Sequence, residues 1–102
     1  MFQEMMPMTS GGGEIKKEEY SFNTSTTATQ YTVSGLTNIE CIFFSFDDYP
    51  EVVYGWAYKN GSYIKTYQST TNVGLGITEV NDNTFTFVWN NILPVTAIVY
   101  GT

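Results

Sequence analysis

Val53-Tyr54-Gly55-Trp56-Ala57-Tyr58-Lys59-Asn60-Gly61-Ser62-Tyr63-Ile64-Lys65-Thr66-Tyr67 is the stretch that decides the fold. Two runs rich in Tyr, Trp, Val, Ile and Thr flank an Asn-Gly pair, and Asn-Gly supplies the two positive-φ positions of a type I′ turn. A β-hairpin is therefore predicted, with Asn60 and Gly61 at its tip. That turn sets a register in which Lys59 faces Ser62, Tyr58 faces Tyr63, Ala57 faces Ile64, Trp56 faces Lys65, Gly55 faces Thr66 and Tyr54 faces Tyr67. Side chains alternate along a strand, so one face carries Tyr54, Trp56, Tyr58, Tyr63, Lys65 and Tyr67, and the other carries Val53, Gly55, Ala57, Ile64 and Thr66.

Outward from this hairpin the same grammar continues. A second turn is expected at Asn81-Asp82-Asn83, pairing Val80 with Phe85 and Thr78 with Phe87. Phe85, Phe87 and Trp89 then share a face that is the better core candidate, with Thr84, Thr86 and Val88 opposite. Asn90 to Pro94 reverses the chain into Val95-Thr96-Ala97-Ile98-Val99-Tyr100, whose apolar run reads as a central strand or one covered on both faces. No stretch beyond Tyr20 keeps a 3.6-residue apolar period. Strands are expected near 19–24, 29–34, 39–46, 52–59, 62–68, 74–80, 84–90 and 95–100. With Asn23 to Gln30 read as loop, seven strands remain instead of eight. The fold class is all-β: an antiparallel β-sandwich or jelly-roll-like domain over residues 20–102.

Residues 1–19 read as a flexible N-terminal arm. They divide into a head of Met1, Phe2, Met5, Met6 and Met8, a Gly11-Gly12-Gly13 hinge, and the mixed-charge run Glu14-Ile15-Lys16-Lys17-Glu18-Glu19. Thioether side chains adapt to irregular apolar grooves, so the head is a candidate attachment device as well as a candidate disordered tail. It has neither a basic n-region nor a continuous apolar h-region, so no signal peptide is expected. No apolar run reaches the ~20 residues that cross a bilayer.

The composition closes many function classes. The chain has 102 residues, four lysines, no histidine and ten carboxylates, for a net charge of −6. Phosphate backbones and anionic lipid should be repelled, so neither nucleic acid nor membrane is an expected partner. Without histidine there is no Ser-His-Asp or Cys-His arrangement and no imidazole metal ligand. Gly74-Leu75-Gly76 is a lone G-x-G, better explained by a bulge or a close backbone approach than by a nucleotide. Asp47, Asp48 and Glu51 around Tyr49-Pro50 read as a solvated acidic turn, with a weak calcium site or a glycosidase pair as the remote alternatives. Cys41 has no intrachain disulfide partner, and in the run Cys41-Ile42-Phe43-Phe44 it reads as a buried, inert thiol. Asn23-Thr24-Ser25 and Asn60-Gly61-Ser62 fit the glycosylation acceptor pattern but carry little weight without a secretion signal. Neither an enzyme nor a cofactor or metal site is expected.

What remains is the aromatic face of the first hairpin. Its rings either form core, or stand partly exposed to stack on sugar faces or on a partner's apolar patch. Lys65 favours the second alternative, since an ammonium opposite Trp56 is costly when buried and can lie over the indole when at the rim.

Gln30-Tyr31-Thr32-Val33-Ser34-Gly35-Leu36, the closing strand pair Thr84-Phe85-Thr86-Phe87 and Val95-Thr96-Ala97-Ile98-Val99-Tyr100-Gly101, and the arm with its glycine hinge resemble small virion proteins of tailed bacteriophages, in particular fibre, head-decoration and tail-associated β-sandwich modules. The resemblance covers about a third of the chain and transfers no catalytic or ligand residue. It implies a structural or receptor-binding virion component, commonly trimeric, made in the host cytoplasm and fastened to the particle through the arm. The expected partners are the chain itself and other virion proteins, with a surface glycan on the aromatic face as the alternative. Self-association also has an energetic motive, because burial and ordering entropy nearly cancel in so small a domain.

Overall fold

The computed structural model describes residues 14–60, 63–69 and 75–102. Among these, eight strands and no helix form: β1 (Lys16–Asn23), β2 (Thr29–Thr32), β3 (Ile39–Phe46), β4 (Tyr54–Asn60), β5 (Tyr63–Gln68), β6 (Gly76–Asn81), β7 (Thr84–Val88) and β8 (Pro94–Gly101). They make two antiparallel sheets, one in the order β1-β8-β3-β4-β5 and one in the order β2-β7-β6, packed as a sandwich.

Alternation along the strands builds the core. β3 sends Ile42, Phe44 and Phe46 inward, β8 sends Val95, Ala97 and Val99, and β7 sends Phe85 and Phe87, with Trp89 following it; all are buried. Rings from the two sheets meet edge to face, Phe44 on Phe87 at 5.1 Å and Phe22 on Phe87 at 5.5 Å, while Trp89 tilts over Phe46 at 4.8 Å. β8 is central, hydrogen-bonded to β1 on one side and β3 on the other, and alternates buried with half-buried residues. The Phe85, Phe87, Trp89 face is thus core, as its pattern implied.

Four features depart from the sequence reading. β1 starts at Lys16, inside the charged run assigned to the arm. Its backbone pairs with β8 from Lys16↔Gly101 to Asn23↔Pro94, and an edge strand accepts charged side chains that a central one does not. The first hairpin is paired two residues further on than its Asn-Gly tip implied: Asn60 faces Tyr63, Tyr58 faces Lys65 and Trp56 faces Tyr67. A shift of two leaves every side chain on its expected face, whereas a shift of one would have inverted them all. In the second hairpin Val80 does face Phe85, with Asp82 in the left-handed region at φ 53°, but an irregularity between Ile77 and Glu79 puts Ile77 opposite Phe87 in place of Thr78. Finally, β7 and β8 do not pair with each other. They lie in different sheets, and residues 89–93 carry the chain across.

That crossing is held by one hydroxyl and two backbone bonds, one of them from the Trp89 amide to the Ser25 carbonyl at 2.9 Å. Thr24, buried to 2 % exposure, donates from Oγ1 to the Asn91 carbonyl at 2.6 Å and accepts from the Leu93 amide at 2.9 Å, while its own amide donates to the Leu93 carbonyl at 2.9 Å. Gly55 matters by its missing side chain, since a Cβ there would run into the Phe44 ring and the Tyr67 carbonyl. Gly76 has φ 99°, which together with the neighbouring irregularity accounts for a glycine there without any nucleotide.

Candidate binding face

The hairpin aromatic face lies on the outer side of the five-stranded sheet, away from the second sheet. Small residues point inward from β4, Gly55 and Ala57, because the space beneath them is already filled by rings such as Phe44. The large ones point out: Tyr54 is 42 % exposed, Tyr58 41 % and Tyr67 47 %, with Trp56 half-buried among them. The alternative that these rings are core is overturned for these four. The Tyr63 side chain lies outside the described residues, as do Met1, Phe2, Met5, Met6 and Met8.

Strand pairing assembles the face into three rows that run across the sheet. One row is Glu19, Ile98, Phe43, Trp56 and Tyr67; the next is Lys17, Tyr100, Cys41, Tyr58 and Lys65; the third is Ser21, Thr96, Ser45 and Tyr54. Phe43, 46 % exposed, stands at the centre of the first row. Trp56 has Tyr67 across the strands at 5.8 Å with the planes 23° apart, and Tyr58 two residues along its own strand at 5.5 Å. Phe43 meets Tyr100 edge to face at 6.2 Å. Between Phe43, Ser45, Tyr54, Trp56, Thr96 and Ile98 the surface dips into a shallow depression of about 270 Å³.

Lys65 is exposed, but it stands opposite Tyr58 and not opposite Trp56, so the expected direct pairing of its ammonium with the indole is replaced by Tyr67. Cys41 is also displaced from its expected place. It points outward between Tyr100 and Tyr58, half-buried, and its partial burial pushes the thiol pKa up, which keeps it protonated at neutral pH. Phe43, Ile98 and Tyr100 were missed as members of the face. Their own alternation carried the signal, but only the pairing of β3 between β8 and β4 brings them beside Trp56.

The acidic turn is exposed. Tyr49 accepts from the Val52 and Val53 amides and stacks on Phe46, and Asp47 accepts from the Thr96 hydroxyl at 2.7 Å. Among the described residues no three Asp, Glu or Cys side chains come together as a metal site. No helix among the described residues is long and apolar enough to cross a membrane. Comparison with protein-family models, curated proteins and solved structures finds no match to this chain.

Proposed function

We propose that this chain is a non-enzymatic structural subunit that works by contact through the outer face of its five-stranded sheet. The observation that carries the reading is the unbroken row Ile98, Phe43, Trp56, Tyr67, in which Phe43 and Tyr67 are exposed and Ile98 and Trp56 half-buried, on a face that the second sheet does not cover. Aromatic residues with a polar rim are the usual composition of a contact surface. A place in a phage particle, with the Met-rich head as the attachment device, is supported by the resemblance of the Gln30–Leu36 and C-terminal segments.

Urea unfolding of Phe43→Ser and Trp56→Ser at submicromolar concentration, where copies are kept apart, is the test. Rings held for contact and not for folding should each cost no more than about 1.5 kcal/mol when replaced. A loss of about 3–5 kcal/mol, as for buried rings, would remove the contact reading. The near-parallel Trp56 and Tyr67 rings favour a second reading, a stacking platform for a sugar. A glycan array on the wild type that shows no bound sugar, or equal binding by Trp56→Ser, disposes of that one.

A further inference from the structure

We infer that the occupant of this face is the same face of a second copy, related by a two-fold axis that runs across the strands between the Trp56 row and the Tyr58 row. The inference rests on the contact reading above and names its partner.

Three observations lead there. The first is symmetry. A single flat patch of this kind is self-complementary only under a two-fold, because a three-fold ring needs two different surfaces on each copy. This replaces the trimer that the phage resemblance implied.

The second is charge. The chain carries −6, yet the three rows hold two of its four lysines, Lys17 and Lys65, against one carboxylate, Glu19, with the exposed Glu40 at the β3 bulge beside Cys41 and Asp47 beyond the third row tied to Thr96. The face therefore carries both signs of charge, although the chain as a whole is acidic. The placement also selects the axis. A two-fold along the strands would set Lys17 over the second copy's Lys65. An axis across the strands, passing through the Trp56 row itself, would set Glu19 over Glu19. The axis between the two rows instead sets Lys17 over Glu19 twice, and sets Lys65 over Tyr67 with the ammonium against the ring. Two sheets packed face to face turn by about 30°, an offset that the length of Lys and Glu side chains can span.

The third is area. Five strands about 4.8 Å apart and the two rows about 6.8 Å apart that this axis superposes give an overlap on the order of 330 Å² in projection. Side-chain relief takes the accessible area toward the lower end of the range of about 600–1,000 Å² per partner found in stable complexes.

Sedimentation velocity on the full chain over a micromolar concentration series tests this by charge exchange. The wild type should be a dimer. Glu19→Lys alone and Lys17→Glu alone should each raise the dimer Kd about tenfold or more, since each converts two attractive contacts into two repulsive ones. The double exchange Lys17→Glu with Glu19→Lys should restore the dimer. A monomeric wild type, a trimer, or a double variant as weak as the single ones overturns the two-fold pairing. The contact reading falls separately, by the urea measurement on Phe43→Ser and Trp56→Ser, so a monomer whose face variants remain stable would remove the second copy and leave the contact surface standing.

Discussion

On β3, Ile42, Phe44 and Phe46 point inward while Cys41, Phe43 and Ser45 point outward, so one strand offers phenylalanine to both sides of the sheet. The neighbouring β4 does the reverse by size, with Gly55 and Ala57 inward and Tyr54, Trp56 and Tyr58 outward. The inner face is packed by rings from both sheets, with Phe46 and Phe87 at 0 % exposure, whereas the outer face has neighbours only along the sheet. The difference teaches that ring size does not decide burial here. A sandwich interior has a fixed thickness, about 10 Å, and once Phe44, Phe46, Phe85, Phe87 and Trp89 occupy it the strand beside them must contribute small side chains.

The largest effect that could break this contrast is a pair of matched truncations. Phe87→Ala removes a ring that touches Phe22, Phe44, Phe46 and Trp89 and should cost about 3–5 kcal/mol, whereas Phe43→Ala on the outer face should cost no more than about 1.5 kcal/mol. Equal losses in urea titrations would mean that the two faces are energetically one core.

A smaller effect belongs to the join between the sheets. Thr24→Val keeps the shape and deletes the hydroxyl that the Leu93 amide donates to and that donates to the Asn91 carbonyl, so a loss of about 1–3 kcal/mol is expected. A neutral result would show that the crossing is held by its backbone bonds, Thr24 to Leu93 and Trp89 to Ser25, without the hydroxyl.

The smallest is a pH effect, and its direction follows from two groups. Burial raises the Cys41 thiol above its ordinary 9.0 and the Tyr31 phenol above its ordinary 10.0. The unfolded chain loses both protons first, so their contribution is whole below pH 9.0 and declines as pH rises past 9.0 for Cys41 and past 10.0 for Tyr31. Wild type minus Cys41→Ser/Tyr31→Phe, followed by thermal unfolding across that range, should show the decline. A flat difference would mean that Cys41 on the outer face and Tyr31 at the core margin are as hydrated as in the unfolded chain.

Local chemistry fixed a great deal of this molecule. Strand positions, the turn around Asp82, the inward set Phe85, Phe87, Trp89 and the central role of β8 all follow from alternation and turn residues, because these act over a few neighbouring positions. The membership of the hairpin face was legible for the same reason, and it survived an error of two in the register because the pleat repeats every two residues. Three things were decided only by the tertiary structure. Thr24 reads as part of a surface acceptor pattern until Asn91 and Leu93 are folded against it. Lys16 to Glu19 read as a solvated arm until β8 supplies a hydrogen-bonding edge. The outward orientation of Tyr54, Trp56, Tyr58 and Tyr67, and the addition of Phe43, Ile98 and Tyr100 to their rows, depends on which side of the five-stranded sheet the second sheet covers. Both faces of β3 and β4 are apolar enough to be covered, and no local pattern in either strand distinguishes them; the choice is made by the volume of the rings that β7 brings from the other sheet.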